Sequence, residues 1–350
     1  MIQACGHHQR SDNLSKKCPA DLSEPQCSQT AIHRKLVHYK NPWPVRYLSD
    51  LPFAISTQSS RIQGNTLKNK YRTTMVSLSR TLLQRALTPA CRWTPELVQT
   101  LGVYYANGHA SRIIVKPKDL PKNTRDFLDE SIAAIQSKDN LNYFFRMFDN
   151  LEKYEHGGTH GEYLVDNLIE ELMKRSISDN RLDVVRQYGL QMEMNGKKLS
   201  VKPDLVISQR DGSRALMVVE NKKPMSAPTM SKVVSKMMKT RSQALAQAIA
   251  ARQQETWPQG FPSFMMTNVG PLVMFYESLL DEGLLHRVKT GREFQEGEKL
   301  TTVTEYAKGY VNGRPVPWDI ANPDDLVDVV GVFAHINTLI ARRLDEKRMR

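Results

Sequence analysis

Lys202-Pro-Asp-Leu-Val-Ile-Ser-Gln-Arg-Asp-Gly-Ser-Arg-Ala-Leu-Met-Val-Val-Glu-Asn-Lys-Lys223 is the stretch whose reading decides the fold. Two short apolar runs, Leu205–Ile207 and Leu216–Val219, flank the turn signal Asp211-Gly212. Each run reads as a strand, with a carboxylate at one end: Asp204 before the first and Glu220 after the second. A carboxylate on an apolar strand is costly unless it has a partner or a task. Glu220 and Lys222, two residues apart on a strand, point to one face. For Asp204 to lie opposite Glu220 the midpoint must fall at Gly212, which asks for an odd loop such as Asp211-Gly212-Ser213. A two-residue loop would put the carboxylates on opposite faces.

Outward from this hairpin, Val184–Met194 reads as a strand and Asn195-Gly196 as a tight turn. With Leu199–Ile207 and Ala215–Glu220 these make a three-strand antiparallel meander. A long helix over Ser231–Gln254 follows, then strands at Phe264–Asn268 and Leu272–Tyr276. Upstream, Thr124–Gln136, Leu141–Tyr154 and Thr159–Arg175 carry apolar residues at helical spacing. His156-Gly157-Gly158 stops the second of these and is taken as a domain boundary. The last helix opens at Asn322 as N-cap, Pro323 at N1 and Asp324 and Asp325 in the first turn. The expected class is α/β (α+β): helix, three-strand meander, helix, further strands, with an N-terminal helical region. Three parts are expected: a disordered or targeting tail over 1–60, a basic helical region over 61–154, and a main domain over 155–350. No internal repeat is visible.

Metal-assisted phosphodiester hydrolysis needs at least two oxygen ligands held together, and gains from an ammonium near the attacking water or the phosphate. Pro203-Asp204, then Glu220-Asn221-Lys222, resembles the PD-(D/E)XK nuclease superfamily, with its restriction-endonuclease-like core. The order of elements over about residues 155–280 is similar too. The resemblance implies Mg²⁺ or Mn²⁺ bound by Asp204, Glu220 and the backbone carbonyl of Asn221, with Lys222 acting on the water or on developing charge. It further implies a metal-binding or metal-orienting acid on the first core helix, matched by Glu162, with Asp166 and Glu170 as fallbacks. A Gln or Lys on the helix after the ExK strand is matched by Gln243 and Gln247. His160 corresponds to a histidine ligand of some viral members, and His156 lies beside it; a loop histidine next to glycine more often has no such role. The motif is short, and the chain carries a second Pro-Asp, Pro323-Asp324, which is merely a helix start. The bland alternative makes Glu220 and Lys222 exposed edge-strand charges.

The chain has 350 residues, 49 Lys+Arg against 37 Asp+Glu, a formal charge of +12 and a mean hydropathy of −0.48. The surplus favours an anionic partner and says nothing of fold. It concentrates in two acid-free stretches, Leu51–Pro95 and Asn221–Gln254. In the second, Lys223, Lys232, Lys236, Lys239 and Arg241, with Gln243 and Gln247, are the candidate nucleic-acid contacts, DNA in preference to RNA. In the first, Thr73–Leu87 fits a basic amphipathic helix, and the region as a whole reads as an organelle targeting stretch, a phosphate-contacting arm or a solvated face on a small helical subdomain. Cys5, Cys18, Cys27 and Cys91 all lie in the first hundred residues. Cys5, Cys18 and Cys27, with His7 and His8, match no tight zinc-ligand spacing, and a reducing compartment is expected. The longest uncharged run, Thr256–Tyr276, holds three prolines and two glycines and fits no membrane helix. No signal peptide is evident at the N-terminus, and an intracellular place, nucleus or mitochondrion, is expected. Two rival functions remain open: a non-catalytic nucleic-acid-binding or effector-like protein on the same fold, and a protein-interaction module.

Overall fold

The computed structural model describes residues 90–348, apart from 140, 154–160, 213, 226–228 and 255–259. All of these lie in one compact unit, Pro44–Arg350. The basic helix expected at Thr73–Leu87 and the tail over 1–60, with its five candidate zinc residues Cys5, His7, His8, Cys18 and Cys27, lie outside the described residues, as do His156 and His160.

The two apolar runs form strands β5 (Leu205–Gln209) and β6 (Ala215–Glu220), buried on both faces as central strands of a layered fold are. Before them come α1 (Pro95–Thr100), β1 (Val103–Asn107), α2 (Lys122–Ser137), α3 (Tyr143–Lys153), α4 (Gly161–Ser176), β2 (Leu182–Arg186), β3 (Leu190–Met194) and β4 (Lys197–Val201). After them come α5 (Met230–Gln254), β7 (Ser263–Val269), β8 (Leu272–Ser278), α6 (Glu282–Thr290), β9 (Thr301–Tyr306), β10 (Gly309–Val311), β11 (Arg314–Val316), β12 (Trp318–Asp319) and α7 (Pro323–Arg348). The central sheet is mixed, in the order β1-β9-β8-β7-β6-β5-β2, with β12 beside β8. The pairs β6–β7 and β1–β9 are parallel; β2–β5, β5–β6, β7–β8 and β8–β9 are antiparallel.

Helices cover both faces of the sheet. Leu205, Ile207, Met217, Val219, Phe264 and Met266 pack with α2, α3, α4 and α7; Val206, Val218 and Met265 pack with α1, α5 and α6. Alternate residues of each strand therefore enter opposite layers. Alanines at 244, 246, 248, 250 and 251 bring α5 close to the sheet, and every residue from Ser242 to Ala251 is buried. The expected N-cap at Asn322 forms: its Oδ1 accepts the Asp324 N–H at 2.9 Å.

The meander differs from the expected one. Both long strands read from the sequence are broken. Val184–Met194 turns away at Gln187, whose φ is +46°, and continues as β3. The second breaks at Lys202-Pro203, because proline has no N–H to give a ladder. The main-sheet meander is therefore β2-β5-β6, and β3 with β4 forms a separate hairpin between the first two. Its turn, Asn195-Gly196, has φ of +49° and +69°, as its sequence requires. Residues 90–153, assigned from the sequence to a basic helical region, contribute edge strand β1 and helices α1 to α3. They share both apolar clusters with the residues beyond 161.

Candidate active site

The sheet's polar edge lies where β6 and β7, side by side and parallel, both end and antiparallel β5 begins. Carboxyl ends of parallel strands are where α/β sheets open a crevice for ligands. The register Leu205↔Val219, Val206↔Val218 and Ile207↔Met217 carries Asp204 to the level of Glu220. The geometric demand is thus met, but not by a three-residue loop. Nearer the turn the pairing is Ser208↔Ala215, leaving Leu216 as an extra residue on β6. This bulge restores the parity that the loop alone would lose. It shows in the packing: consecutive residues Leu216 and Met217 enter the same apolar layer.

Asp204 Oδ2 accepts the Asn221 N–H at 2.7 Å. Burial, and then the charge of Glu220, push the Asp204 carboxyl up to about 7, against the Asn221 N–H and Lys222. Glu220 is 5% exposed. Its Oε1 pairs with Lys222 Nζ at 2.7 Å, and its Oε2 accepts a hydrogen bond from Gln247 Nε2. Burial works against the Lys222 ammonium, yet Glu220, Asp204 and Glu162 hold it above its ordinary range. Glu162, in the first turn of α4, meets Lys222 Nζ at 3.3 Å.

Asn221 is fully buried and ties the site together. Its Nδ2 donates to Asp166 Oδ1 at 2.6 Å, and its Oδ1 accepts from Asn268 Nδ2 at 2.7 Å. Asn268 Oδ1 in turn accepts the Lys222 N–H at 3.3 Å. Asp166, the fallback acid, is raised chiefly by burial, while the Asn221 amide opposes the shift. Glu170 lies further along α4, paired with Lys174 and Arg186. Asn268 escaped the sequence reading. Its one signal was a polar Thr267-Asn268 pair interrupting the apolar run of β7.

The flanking candidates divide. Lys223, Lys232 and Lys239 are exposed. Lys236 is part-buried, donates to the Lys223 carbonyl at 3.0 Å, and is lowered by burial and then by Lys222 and Lys223. Arg241 is not at the expected phosphate face. It pairs with the buried Glu305 on β9 at 2.6 Å and lies 3.7 Å above the Tyr105 ring. Gln243 and Gln247 are buried, and Gln247 serves Glu220.

Among the described residues no three His, Cys, Asp or Glu side chains converge as a metal-binding group. Two carboxylates do converge, Asp204 and Glu220. The Gln247 Oε1 beside them is buried with no hydrogen-bond partner. Oxygen donors, and an acceptor for a hydrogen bond from a coordinated water, fit a hard divalent ion. No described helix is long and apolar enough to cross a membrane. No protein-family model matches the chain, and no curated protein is significantly similar to it.

Proposed function

We propose that the chain is a divalent-metal-dependent nuclease of the PD-(D/E)XK type, hydrolysing phosphodiester bonds in DNA in preference to RNA. The observation that carries this reading is the register that sets Asp204 level with Glu220, with Lys222 beside Glu220 at 2.7 Å. The element order supports it: α4, the meander β2-β5-β6, then α5 and β7 parallel to β6. Mg²⁺ or Mn²⁺ would be held by Asp204, Glu220 and the carbonyl of Asn221. When bound, the ion supplies Lewis acidity and lowers the pKa of a coordinated water. The protein's own groups do the rest. The Asn221 N–H and the Gln247 amide fix one oxygen each of Asp204 and Glu220. Lys222 presents an ammonium that stays charged, able to orient water and offset charge developing on phosphate. Exposed Lys223, Lys232 and Lys239 suit the nucleic-acid backbone.

A second reading, a nucleic-acid-binding protein that keeps this fold without cleavage, has one observation in its favour. The Lys222 ammonium bridges Glu220 and Glu162, and so already neutralises the charge a metal would meet. Incubation with single- and double-stranded DNA and RNA, with Mg²⁺, Mn²⁺ or EDTA, separates the two. We expect metal-dependent cleavage that Asp204→Ala abolishes and Lys222→Ala lowers by about 10²–10³-fold. Cleavage surviving both substitutions excludes this site. Binding without cleavage by the wild type selects the second reading.

A further inference from the structure

An exposed aromatic ring stands at the rim of the site. Tyr163 directly follows Glu162 in the first turn of α4 and is 58% exposed, among the most exposed large apolar side chains described. The Arg186 guanidinium lies 5.6 Å from its ring centroid. Arg186 ends β2, paired with Leu205 and so one residue from Asp204. It is held by Glu170 and by Asn167 Oδ1, both on α4. The ring is thus contacted by a cation that Glu170 and Asn167 hold in place, and it stays more than half exposed. Beside Glu162, Lys222 Nζ lies 3.3 Å from its carboxylate, Lys236 Nζ donates to the Lys223 carbonyl at 3.0 Å, and a Cβ on Gly161 would lie 3.4 Å from Lys223 Cβ. An exposed aromatic ring next to Glu162 in the chain, with the Lys222 ammonium on Glu162, matches the two parts of a nucleotide, base and phosphate.

We propose that Tyr163, backed by Arg186, is a stacking platform for an unpaired base, so that the substrate is single-stranded or carries a frayed end. This rests on the nuclease reading and names the substrate of that site. In a paired duplex the base faces are covered by their neighbours and leave nothing for the ring to stack on.

The test uses the full chain in EDTA, with a fluorescein-labelled 15-mer DNA strand and its blunt duplex, and with 2-aminopurine in the strand to report stacking. Expected results are a loss of single-strand affinity of about 5- to 100-fold in Tyr163→Ala, duplex affinity within about twofold of wild type, and a lost 2-aminopurine signal. Tyr163→Phe should behave as wild type, since the ring and not the hydroxyl does the stacking. Unchanged strand affinity in Tyr163→Ala, an equal loss on strand and duplex, or an equal loss in Tyr163→Phe overturns the platform. If wild type still cleaves with metal in those cases, the nuclease reading stands. If wild type neither binds nor cuts any nucleic acid, both fall together.

Discussion

At Asp204, folding opposes the ionised carboxyl that the proposed metal binding would need. Its carboxyl has an ordinary value of 3.8 and stands near 7 in the folded chain, through burial and the neighbouring Glu220. Between those values the folded state holds a proton that the unfolded chain has released. Stability from this group is therefore fully present below about 3.8, falls as pH rises, and is lost above about 7. Asp204→Asn, neutral throughout, escapes that loss. Without divalent metal we expect the variant to be more stable than wild type at pH 8, by roughly 2 kcal/mol after discounting the pair's remaining exposure, and equal to it near pH 3.5. Thermal unfolding across pH checks this. A gap that narrows as pH rises would show that Asp204 is not held at such a cost. Neighbouring Asn221 and Asn268 matter differently, since each spends its amide on holding other groups in place.

At the scale of elements, the site depends on how three segments meet at the sheet edge. The β7–β8 turn contains Gly270 at φ +60°, whose N–H donates to the Lys222 carbonyl at 2.9 Å. A Cβ there would lie 2.9 Å from Pro224 Cβ. Gly270→Ala adds left-handed strain and pushes on the segment that carries Lys222. We expect a stability loss of about 1–2 kcal/mol and, on the proposed nuclease reading, a drop in cleavage of tenfold or more, beyond what unfolding explains. Parallel denaturation and rate measurements at a temperature where the variant is folded decide it. Full activity in a destabilised variant would free Lys222 from dependence on this turn. The bulge at Leu216 is a comparable device: one extra residue on β6 decides whether Asp204 and Glu220 share a face.

At the scale of the whole molecule, the surplus of +12 is not a uniform coat. Exposed Lys223 adjoins Lys222, part-buried Lys236 is bonded to its carbonyl, and exposed Lys232 and Lys239 lie on the same helix as Lys236, while Arg241 is consumed by Glu305. On the proposed nuclease reading, nucleic-acid affinity should therefore fall steeply with salt. Each of Lys223→Ala and Lys232→Ala is expected to reduce the slope of log K against log salt by about 0.7 for single strands. Arg241→Ala is expected to leave the slope unchanged and to cost stability, because it leaves Glu305 buried and uncompensated. Titrations at several salt concentrations measure this directly; an unchanged slope in both lysine variants would move the phosphate contacts elsewhere.

Local pattern alone determined much of this protein. Apolar period, turn residues and caps mark α2 to α5, β5 to β8 and the start of α7, because helix and strand periods and N-cap chemistry are written in neighbouring residues. The pairing of Asp204 with Glu220 was legible as a requirement, since strand parity is arithmetic. Tertiary structure alone decided how the requirement is met, by a bulge at Leu216, and it split the expected strands at Gln187 and Pro203. It also added β1 and β9 to the sheet, gave Arg241 to Glu305, joined Asn268 to Asn221 and set Tyr163 against Arg186. Those contacts join residues 23 to 198 positions apart in the chain (163 to 186, 103 to 301). Their energies arise from burial and charge once the layers have closed, and short-range sequence pattern carries no trace of which distant partner a side chain will meet.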